Sequence, residues 1–408
     1  MRRRAAALAI AALAGGALAG PARAELPLGP SSFSERTRTV EAAPGLSWTR
    51  IVRGGGPWRV NVLTIDRREL SGRLAAGLSN SRVAGRERLT AIARRTRALA
   101  GVNGGFFAVD GDPVGALAVR GRLVSEPVGG RSALLIPRAP GDRALVAPLR
   151  FAGRATLGGR TRLLDGVDRR PGRIPACGGR GGDRPTQRPN SVLTCTDPSE
   201  LVLLSSAYGA RTPAGGVEAL VRDERVVRVR SGGGARVPRG AYVLWGGGEA
   251  GRFVREAATP GAEAAVALDL RSGGRTLPPG AFAAVTGGGP RLLKDGRLAV
   301  ASGPEGFAPA GSPSFFEAFV ASRNPRTLAG VRPDGTLLLV TVDGRRRGWS
   351  AGVTLVEAAR VMRYLGATDA LNLDGGGSTA TTVGRRLVNR PSDPGGERPV
   401  SDALLVLP

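Results

Sequence analysis

The sequence predicts an α+β fold, built of β-rich mixed sheets with a few packed helices. Short strand-like runs bounded by turn residues recur along most of the 408-residue chain, and a helical period appears at few places. The 63 glycines and 30 prolines supply the many turns that such a fold requires. Hydrophobic residues, at 41%, suffice for a core and exclude a disordered or collagen-like chain. The length allows two or three compact units, or one large domain with insertions.

Residues 1–24 have the pattern of a signal peptide. Arg2, Arg3 and Arg4 precede an alanine- and leucine-rich stretch, and the small–x–small sequence Ala22-Arg23-Ala24 supplies a cleavage site. An uncleaved anchor is the alternative, but an apolar run of about 16 residues is short for a membrane span. We therefore expect a secreted or envelope-exterior protein whose mature chain starts near Glu25, with no transmembrane segment after cleavage.

Residues 25–45 are predicted to be a polar lead-in and residues 46–408 the main domain. Within that domain, residues 168–198 are predicted to be an irregular insertion, since they are rich in glycine, arginine and proline. The two cysteines of the chain, Cys177 and Cys195, lie in this insertion. In an exported protein two cysteines most simply form a disulfide, and closing a loop of this size contributes about 3 kcal/mol in the chain-entropy model.

The first elements of the main domain are a strand around 60–65 and a helix over 86–99, where apolar residues recur at helical spacing. Further along, residues 217–221 and 226–230 flank a charged tetrapeptide and alternate between apolar and polar residues. This pattern predicts a β-hairpin.

The helix predicted most clearly begins at Thr354. Thr354 and Glu357 have the spacing of a capping box, in which each side chain satisfies a free backbone donor. An apolar face follows, and Gly366 ends the helix. The chain then enters a buried-strand pattern at 369–373, which leads directly into a glycine-rich turn.

A pattern of strand, glycine turn, strand, tight hairpin and strand recurs three times. The three glycine turns, which we number in chain order, are turn 1 (103–105), turn 2 (286–289) and turn 3 (374–378). Each is followed by a Gly-Arg pair that predicts a hairpin. If the repetition reflects structure, the three turns occupy related positions in one system of sheets.

The charge and the residue types narrow the possible functions. The chain has no histidine, which excludes Ser-His-Asp triads, Cys-His pairs and histidine-ligated zinc. A net charge of +26 favours anionic partners, among them anionic envelope polymers. Nucleic acid is not predicted as a partner, because the arginines are scattered and aromatic residues make up only 4%. No metal or cofactor is predicted.

Turn 3 is the first candidate for chemistry. Consecutive glycines let backbone N–H groups approach an anion, and here a carboxylate, Asp374, precedes them and a hydroxyl, Ser378, follows. A plain structural turn is the alternative. Arg323 and Arg326 flank a rigid Asn-Pro pair and could clamp a phosphate. Asp343 ends a predicted strand, though an aspartate before glycine is often only a turn former.

Together these segments resemble the phosphodiester glycosidase family, from about Leu46 to the C-terminus. The ordered motifs that carry the resemblance are Gly101-Val102-Asn103-Gly104-Gly105-Phe106-Phe107, Gly287-Gly288-Gly289-Pro290-Arg291-Leu292, Asn324-Pro325-Arg326-Thr327, Val342-Asp343-Gly344-Arg345, Leu371-Asn372-Leu373-Asp374-Gly375-Gly376-Gly377-Ser378, Val388-Asn389-Arg390-Pro391-Ser392 and Glu397-Arg398-Pro399-Val400. The insertion and the lead-in lie outside these motifs.

The resemblance implies hydrolysis of a sugar-1-phosphodiester between the anomeric carbon and the phosphate oxygen. The substrate would be a sugar-phosphate small molecule or an anionic envelope polymer. A departing phosphate needs cations and N–H donors, and the oxocarbenium-like carbon needs carboxylates. The catalytic candidates are Asp374, Asp343, Arg326 and Thr327, and the substrate-binding candidates are Asn103, Gly104, Gly105, Arg323, Asn372, Gly375, Gly376, Gly377 and Ser378.

Two other readings remain open at this point. A non-catalytic module that binds phosphate-rich envelope polymers would use the same glycines and arginines but would not need both Asp343 and Asp374. A secreted phosphodiesterase that cleaves the P–O bond would normally need a metal cluster, and the sequence contains no grouped acidic set for one.

Overall fold

The computed structural model of the chain describes residues 25–55, 57–175, 177, 182–187, 194–209, 211–309 and 312–408. The predicted signal peptide, residues 1–24, lies outside the described residues. Within them, no helix is long and apolar enough to cross a membrane.

The described residues form many short strands and four α-helices. In the first half of the chain these are β1 (Glu35–Ala43), β2 (Leu46–Arg53), β3 (Trp58–Ile65), β4 (Arg73–Leu78), α1 (Leu89–Thr96), β5 (Ala100–Asn103), β6 (Leu117–Val119), β7 (Arg122–Ser125), β8 (Ser132–Pro137), β9 (Leu145–Pro148), β10 (Arg150–Leu157), β11 (Arg160–Leu164), β12 (Gly166–Val167), β13 (Ile174–Pro175), β14 (Arg184–Gln187), β15 (Thr194–Thr196) and β16 (Leu201–Ser205).

The second half continues with β17 (Ala214–Arg222), β18 (Arg225–Gly233), β19 (Ala241–Gly246), α2 (Gly248–Ala257), β20 (Ala264–Ser272), β21 (Arg275–Leu277), β22 (Phe282–Gly287), β23 (Arg291–Lys294), β24 (Arg297–Leu298), α3 (Pro313–Phe316), β25 (Arg326–Val331), β26 (Leu337–Val342), α4 (Leu355–Tyr364), β27 (Asp369–Asn372), β28 (Thr381–Val383), β29 (Arg386–Leu387) and β30 (Asp402–Leu407). This composition confirms the predicted α+β class.

Three sheets surround the core that carries the motifs. Sheet A has eight strands in the order β1-β2-β3-β26-β25-β27-β23-β24, sheet B has the order β29-β28-β5-β30-β4, and sheet C has the order β7-β6-β22-β8-β9. Leucines and valines from all three, such as Leu63, Val102 and Leu134, form one buried cluster between them. Helix α4 covers the opposite face of sheet A, and α1 covers sheet B.

The remaining sheets form a second region between β10 and β21. Sheet D has the order β11-β10-β20-β21 and sheet E the order β12-β16-β19-β17-β18. Together with α2 they bury a separate apolar cluster against sheet C. The predicted hairpin around residues 222–225 is the β17–β18 pair of sheet E, as expected.

The three predicted repeats form a cyclic arrangement of strands. β5 of the first repeat pairs with β28 of the third, β22 of the second pairs with β6 of the first, and β27 of the third pairs with β23 of the second. Each repeat therefore starts in one sheet and continues in the next. Turns 1, 2 and 3 are the three corners at which the chain passes between sheets, which explains their glycines, because a tight corner leaves little room for side chains.

Helix α4 has the local structure that its sequence predicts. The Thr354 hydroxyl accepts a hydrogen bond from the Glu357 N–H at 3.1 Å, and the Glu357 carboxylate accepts one from the Thr354 N–H at 2.9 Å. This capping box fixes the start of the helix. Leu355, Ala358 and Met362 are buried against sheet A, so the helix positions the strand β27 that follows it.

The segment 25–45 is part of the fold, which corrects its prediction as a lead-in. β1 pairs with β2 at the edge of sheet A, and Leu26 and Leu28 are buried. Arg53 holds the segment: its Nε donates to the Leu28 carbonyl at 2.6 Å and its Nη1 lies 3.1 Å from the Glu25 carboxylate. The sequence appears polar because β1 is an exposed edge strand.

The insertion at 168–198 contains the short strands β13, β15 and β14, which form a three-stranded sheet. The predicted disulfide between Cys177 and Cys195 is present, with 5.0 Å between the Cα atoms. Arg169 connects the insertion to the rest of the fold through ion pairs with Glu126 and Glu200. Parts of the insertion lie outside the described residues.

Candidate active site

The three glycine turns meet at one end of the core. The Asp374 N–H of turn 3 donates to the Gly104 carbonyl of turn 1 at 3.2 Å, and the Gly289 N–H of turn 2 donates to the Asn372 carbonyl at 2.6 Å. Turns 1 and 2 are equally close, since a Cβ on Gly105 would lie 2.6 Å from the Gly287 carbonyl oxygen. Only glycine fits such a contact.

Asn103 ties turn 1 to turn 3. Its side chain is fully buried; Nδ2 donates to the Asp374 carbonyl at 2.7 Å, and Oδ1 accepts from the Thr327 hydroxyl at 2.6 Å and from the Ala380 N–H at 3.1 Å. An amide can donate and accept at once, so one side chain joins three segments. Asn103 and Thr327 therefore position Asp374.

Asn372 has a similar positioning role between turns 2 and 3. Its Nδ2 donates to the Gly289 carbonyl at 2.9 Å and to the Leu373 carbonyl at 2.7 Å. The side chain is fully buried, so the structure places it beneath the turns.

Asp374 is the half-buried carboxylate of turn 3. Its Oδ1 accepts a hydrogen bond from the Gly375 N–H at 2.9 Å. The pKa of Asp374 is raised to about 6, because burial and the neighbouring Asp402 raise it by more than the hydrogen bonds from Ser378 and Gly375 and the charge of Arg398 lower it. A carboxylate of this kind is mostly ionised at neutral pH, and it can still bind a proton in the physiological range.

Asp402 is a second carboxylate at the same place. It starts β30 and is buried, with Oδ1 accepting from the Gly105 N–H at 3.2 Å and Oδ2 from the Ser401 hydroxyl at 2.7 Å. A Cβ on Gly104 would overlap its carboxylate. Burial raises the pKa of Asp402, while the two hydrogen bonds lower it. Two carboxylates thus lie at the junction of turns 1 and 3.

Two arginines lie over turn 3. The guanidinium of Arg345 is 3.3 Å from the position of a Cβ on Gly376, and Arg398, paired with Asp393 at 2.8 Å, occupies the space beside Gly377. Arg345 is exposed and its Nε and Nη2 donate to Asn324 at 2.9 and 2.6 Å, which directs Nη1 towards the turn. Its backbone is left-handed, with φ at 54°, a conformation that non-glycine residues adopt rarely and often at functional sites.

The predicted phosphate clamp is wrong for Arg326. This side chain is 1% exposed and donates to the carbonyls of Val353 at 3.1 Å and Phe319 at 2.5 Å. Successive residues of a strand point to opposite faces, so Thr327 reaches Asn103 while Arg326 points away. Burial, with a smaller contribution from the nearby Arg345, lowers the pKa of Arg326 to about 9. Its role is structural.

Arg323 is also engaged elsewhere. Its guanidinium forms an ion pair with Glu357 of the α4 capping box at 2.6 Å and lies 5.3 Å from the Trp58 ring. The hydrogen bond that Arg323 donates to the Glu357 carboxylate is the main cause of a raised Arg323 pKa. The prediction that Arg323 binds the substrate phosphate therefore finds no support in its position.

Asp343 lies next to the site but is saturated with donors. Its carboxylate is buried and accepts hydrogen bonds from Trp349 Nε1 at 2.8 Å, Asn389 Nδ2 at 3.1 Å and the Arg390 N–H at 3.2 Å. Burial raises its pKa and these bonds lower it. Because Asn389 also donates to the Thr379 carbonyl at 3.0 Å, Asp343 supports turn 3 from behind. This arrangement corrects its prediction as a catalytic residue.

A cavity in the second region does not carry the same chemistry. It has a volume of about 490 Å³ and lies between sheets C, D and E, with Arg122, Leu203 and Tyr242 among its lining residues. Its lining among the described residues contains no carboxylate, which cleavage of a glycosidic bond requires. We therefore place the candidate active site at the glycine turns.

The sequence profile of the phosphodiester glycosidase family matches residues 215–407 of the chain, which include turns 2 and 3, Asp402, Arg345 and Arg398. Among solved structures, the chain is similar to a Burkholderia pseudomallei protein named as a candidate exported protein, at 30% identity and a TM-score of 0.83, covering 94% of this chain and 98% of the other. The chain belongs to the phosphodiester glycosidase family.

Two further similarities are more limited. A hypothetical protein from Synechocystis shares the fold, with a TM-score of 0.70 at 24% identity over 91% of this chain and 63% of the other. An uncharacterised SPbeta prophage-derived protein of Bacillus subtilis, YomE, is 42% identical over 84 residues. The chain spans 13% of the length of this curated relative, and the match covers 21% of the chain itself.

Three residues of this candidate site were not among the predicted site residues. Arg345 and Arg398 were present in the quoted motifs but were not distinguished from the many surface arginines. Asp402 stands at the start of a strongly apolar strand, and a carboxylate in that position is a signal that the sequence does contain.

Proposed function

We propose that the protein hydrolyses a sugar-1-phosphodiester by breaking the bond between the anomeric carbon and the phosphate oxygen. The observation that carries this proposal is turn 3, where a half-buried carboxylate of raised pKa stands beside a glycine turn covered by two arginines. Membership of the phosphodiester glycosidase family supports the reaction class.

The positive charge at turn 3 suits a phosphate leaving group. When the C–O bond breaks, its electron pair stays on the phosphate oxygen, and the departing phosphate monoester gains charge. Arg345 Nη1 and the turn 3 glycines would stabilise that charge, whereas the guanidinium of Arg398 is already paired with Asp393. Phosphate leaves well without protonation, so the reaction does not need the strong general acid that most glycosidases use.

The Asp374 carboxylate is proposed to act on the sugar side of the broken bond. As the C–O bond breaks, the anomeric carbon becomes oxocarbenium-like, and the negative charge of Asp374 stabilises it. Water supplies the oxygen that replaces the phosphate. Retention of the anomeric configuration would assign Asp374 as the nucleophile, and inversion would assign it as the base that accepts the water proton. Asp402, whose oxygens hold Gly105 and Ser401, positions turn 1 against turn 3.

The site of action follows from the N-terminal sequence. The signal-peptide pattern of residues 1–24, the Cys177–Cys195 disulfide and the similarity to a candidate exported protein support export. In the envelope or outside the cell, the substrate would be a glycan or glycan precursor that contains a sugar-1-phosphodiester.

The test is incubation of the purified protein with sugar-1-phosphodiesters that differ in the sugar, followed by ¹H and ³¹P NMR. We expect release of a free sugar and a phosphate monoester in equal amounts. A non-catalytic binding module is the alternative, and it predicts chemical-shift changes on binding with no released product. Release of sugar-1-phosphate and an alcohol would show P–O cleavage and would contradict the proposal.

A further inference from the structure

An unusual concentration of arginine lies on sheet A next to turn 3. We call Arg36 and Arg38 of β1, Arg50 of β2 and Arg59 of β3 the arginine strip. In the ladders of sheet A, Arg38 lies opposite Arg50, and both Arg36 and Arg59 lie opposite Val52. Residues directly opposite each other point to the same face, so the four side chains share one face.

Two tryptophans lie among these arginines. The Arg50 guanidinium is 5.1 Å from the Trp48 ring centre, and the Arg59 guanidinium is 3.7 Å from that of Trp349, on whose ring Arg390 also lies at 5.2 Å. Such contacts hold arginine side chains in place without neutralising them. The guanidinium groups of Arg50 and Arg59 are therefore ordered in advance and remain cationic.

The strip is electrostatically unfavourable in the protein alone. Like charges directly opposite across a ladder destabilise a sheet, as with Arg38 and Arg50. Burial, Arg50 and Arg36 all lower the pKa of Arg59, and Asp343 is the carboxylate that opposes them. Asp343 already accepts three hydrogen bonds from other groups. A bound polyanion would supply negative charge that offsets the repulsion among these arginines.

The strip shares a face of sheet A with the buried residues that support the candidate active site, and its exposed connection to the site is the loop that carries Trp349. Arg38, Arg50, Asn61, Thr341 and Thr327 face one another in register across five adjacent strands, from the edge of sheet A to the residue that holds Asn103. At a strand spacing of about 4.8 Å, the distance from β1 to β26 is about 14 Å. Arg345 and Trp349 lie in one short loop, so one end of the strip adjoins turn 3.

We propose that the arginine strip binds the aglycone side of a polymeric substrate, a polyanion with repeated phosphodiesters. This inference rests on the proposed function and makes it narrower: the leaving phosphate belongs to a chain whose further phosphates contact the strip. Guanidinium groups recognise phosphate oxygens through paired hydrogen bonds. A small phosphodiester would occupy turn 3 only.

Kinetics on two substrates test the proposal. The double variant Arg36→Gln/Arg38→Gln removes two exposed charges at residues i and i+2 of an edge strand. Arg150→Gln/Arg154→Gln is the control, with the same change at two exposed positions, i and i+4, of β10 in sheet D. For a phosphodiester polymer we expect KM to rise about tenfold in the strip variant and to stay within twofold in the control. For a small sugar-1-phosphodiester with an uncharged aglycone, neither variant should change KM.

An equal rise in KM for both substrates, or the same rise in the control variant, would overturn the proposal.

A binding experiment tests the strip without turnover. It uses inorganic polyphosphate as the probe and introduces the strip substitutions into the Asp374→Asn variant. A plot of the logarithm of the binding constant against the logarithm of the salt concentration has a negative slope. We expect the magnitude of this slope to decrease by about 1.4 in the strip variant, because two phosphate contacts are lost. An unchanged slope, or preferential binding of RNA or anionic vesicles through the strip, would also overturn it. Because this readout needs no hydrolysis, it separates failure of the strip from failure of the proposed function.

Discussion

Turns 1 and 3 follow the same pattern, but they place different side chains at the same point. Each begins where a buried strand leaves its sheet, and each has a polar residue before its glycines. In turn 1 this residue is Asn103, which is fully buried and hydrogen-bonded at both ends. In turn 3 it is Asp374, which is half-buried and has a raised pKa. Turn 1 is a support, and turn 3 is the candidate for catalysis.

The difference follows from the chemistry of the two side chains. An amide donates and accepts, so Asn103 can join Asp374, Thr327 and Ala380 in the interior. An ionised carboxylate only accepts, so Asp374 could not donate to a backbone carbonyl as Asn103 does. Asp374 lies half-buried, with Arg398 and Asp402 as charged neighbours. The two turns share the same backbone pattern. Their polar side chains differ in one atom, the amide nitrogen of Asn103 in place of a carboxylate oxygen of Asp374, and this difference gives them different proposed roles.

The largest effect is expected from Asp374→Asn. The substitution keeps the size of the side chain and an oxygen that can accept from Gly375, but it removes the negative charge beside the developing cation. We expect turnover to fall by about 10²-fold or more, with little change in Tm, as measured by steady-state kinetics and thermal melts. Asp295→Asn, the same change in an exposed hairpin turn, is the control and should retain full activity. Full activity in Asp374→Asn would remove the distinction between the two turns.

Arg345→Gln should have the next largest effect. It removes a cation beside Gly376 while the amide can still bond Asn324. We expect kcat/KM to fall about tenfold, and more for substrates with poorer leaving groups, because the guanidinium stabilises the departing phosphate. Arg347→Gln, an exposed residue of the same loop, serves as the control. An effect independent of the leaving group would contradict a role on the phosphate.

Asn103→Ala should act mainly on stability. It leaves buried partners on Thr327, Ala380 and Asp374 without their hydrogen bonds. We expect the free energy of unfolding to fall by about 2–3 kcal/mol, measured by urea denaturation. Activity per folded molecule should fall less than in Asp374→Asn, since the carboxylate remains. A stable but inactive variant would instead make turn 1 part of the reactive site.

The smallest expected effect is a shift in the pH profile. If ionised Asp374 is required, kcat/KM should fall about tenfold per pH unit below its pKa of about 6. Asp402 raises that pKa, so Asp402→Asn should move the acidic limb to lower pH. Asp374 also affects the free energy of unfolding, because its pKa rises from 3.8 in the unfolded chain to about 6 in the folded protein. Protonated Asp374 therefore stabilises the fold fully below pH 3.8, and this stabilisation is lost as the pH rises through about 6. Asp374→Asn should abolish both effects.

Parts of this comparison could be predicted from the sequence. The three repeats, the capping box at Thr354 and the β17–β18 hairpin are local patterns, and each leaves a direct trace in residue spacing. The cyclic pairing of strands between repeats leaves none, because it joins residues as far apart as Asn103 and Asp374. The sequence therefore predicted the three turns but not how they meet.

The errors among the arginines have one physical cause. Alternation along β25 shows that Arg326 and Thr327 point to opposite faces, but it does not show which face lies under the turns. In a chain with 59 basic residues, composition also cannot distinguish a structural arginine from one that faces a substrate. Only the fold shows that Arg326 is buried against carbonyl groups and that Arg345 reaches turn 3.

The most direct test of the central claim, that turn 3 cleaves the anomeric C–O bond, is hydrolysis of a sugar-1-phosphodiester in H₂¹⁸O, with mass spectrometry of both products. We predict that the label enters the released sugar and that the phosphate monoester contains none, because water attacks the carbon beside Asp374. Label in the phosphate monoester, with unlabelled sugar, would place the attack on phosphorus and contradict the account.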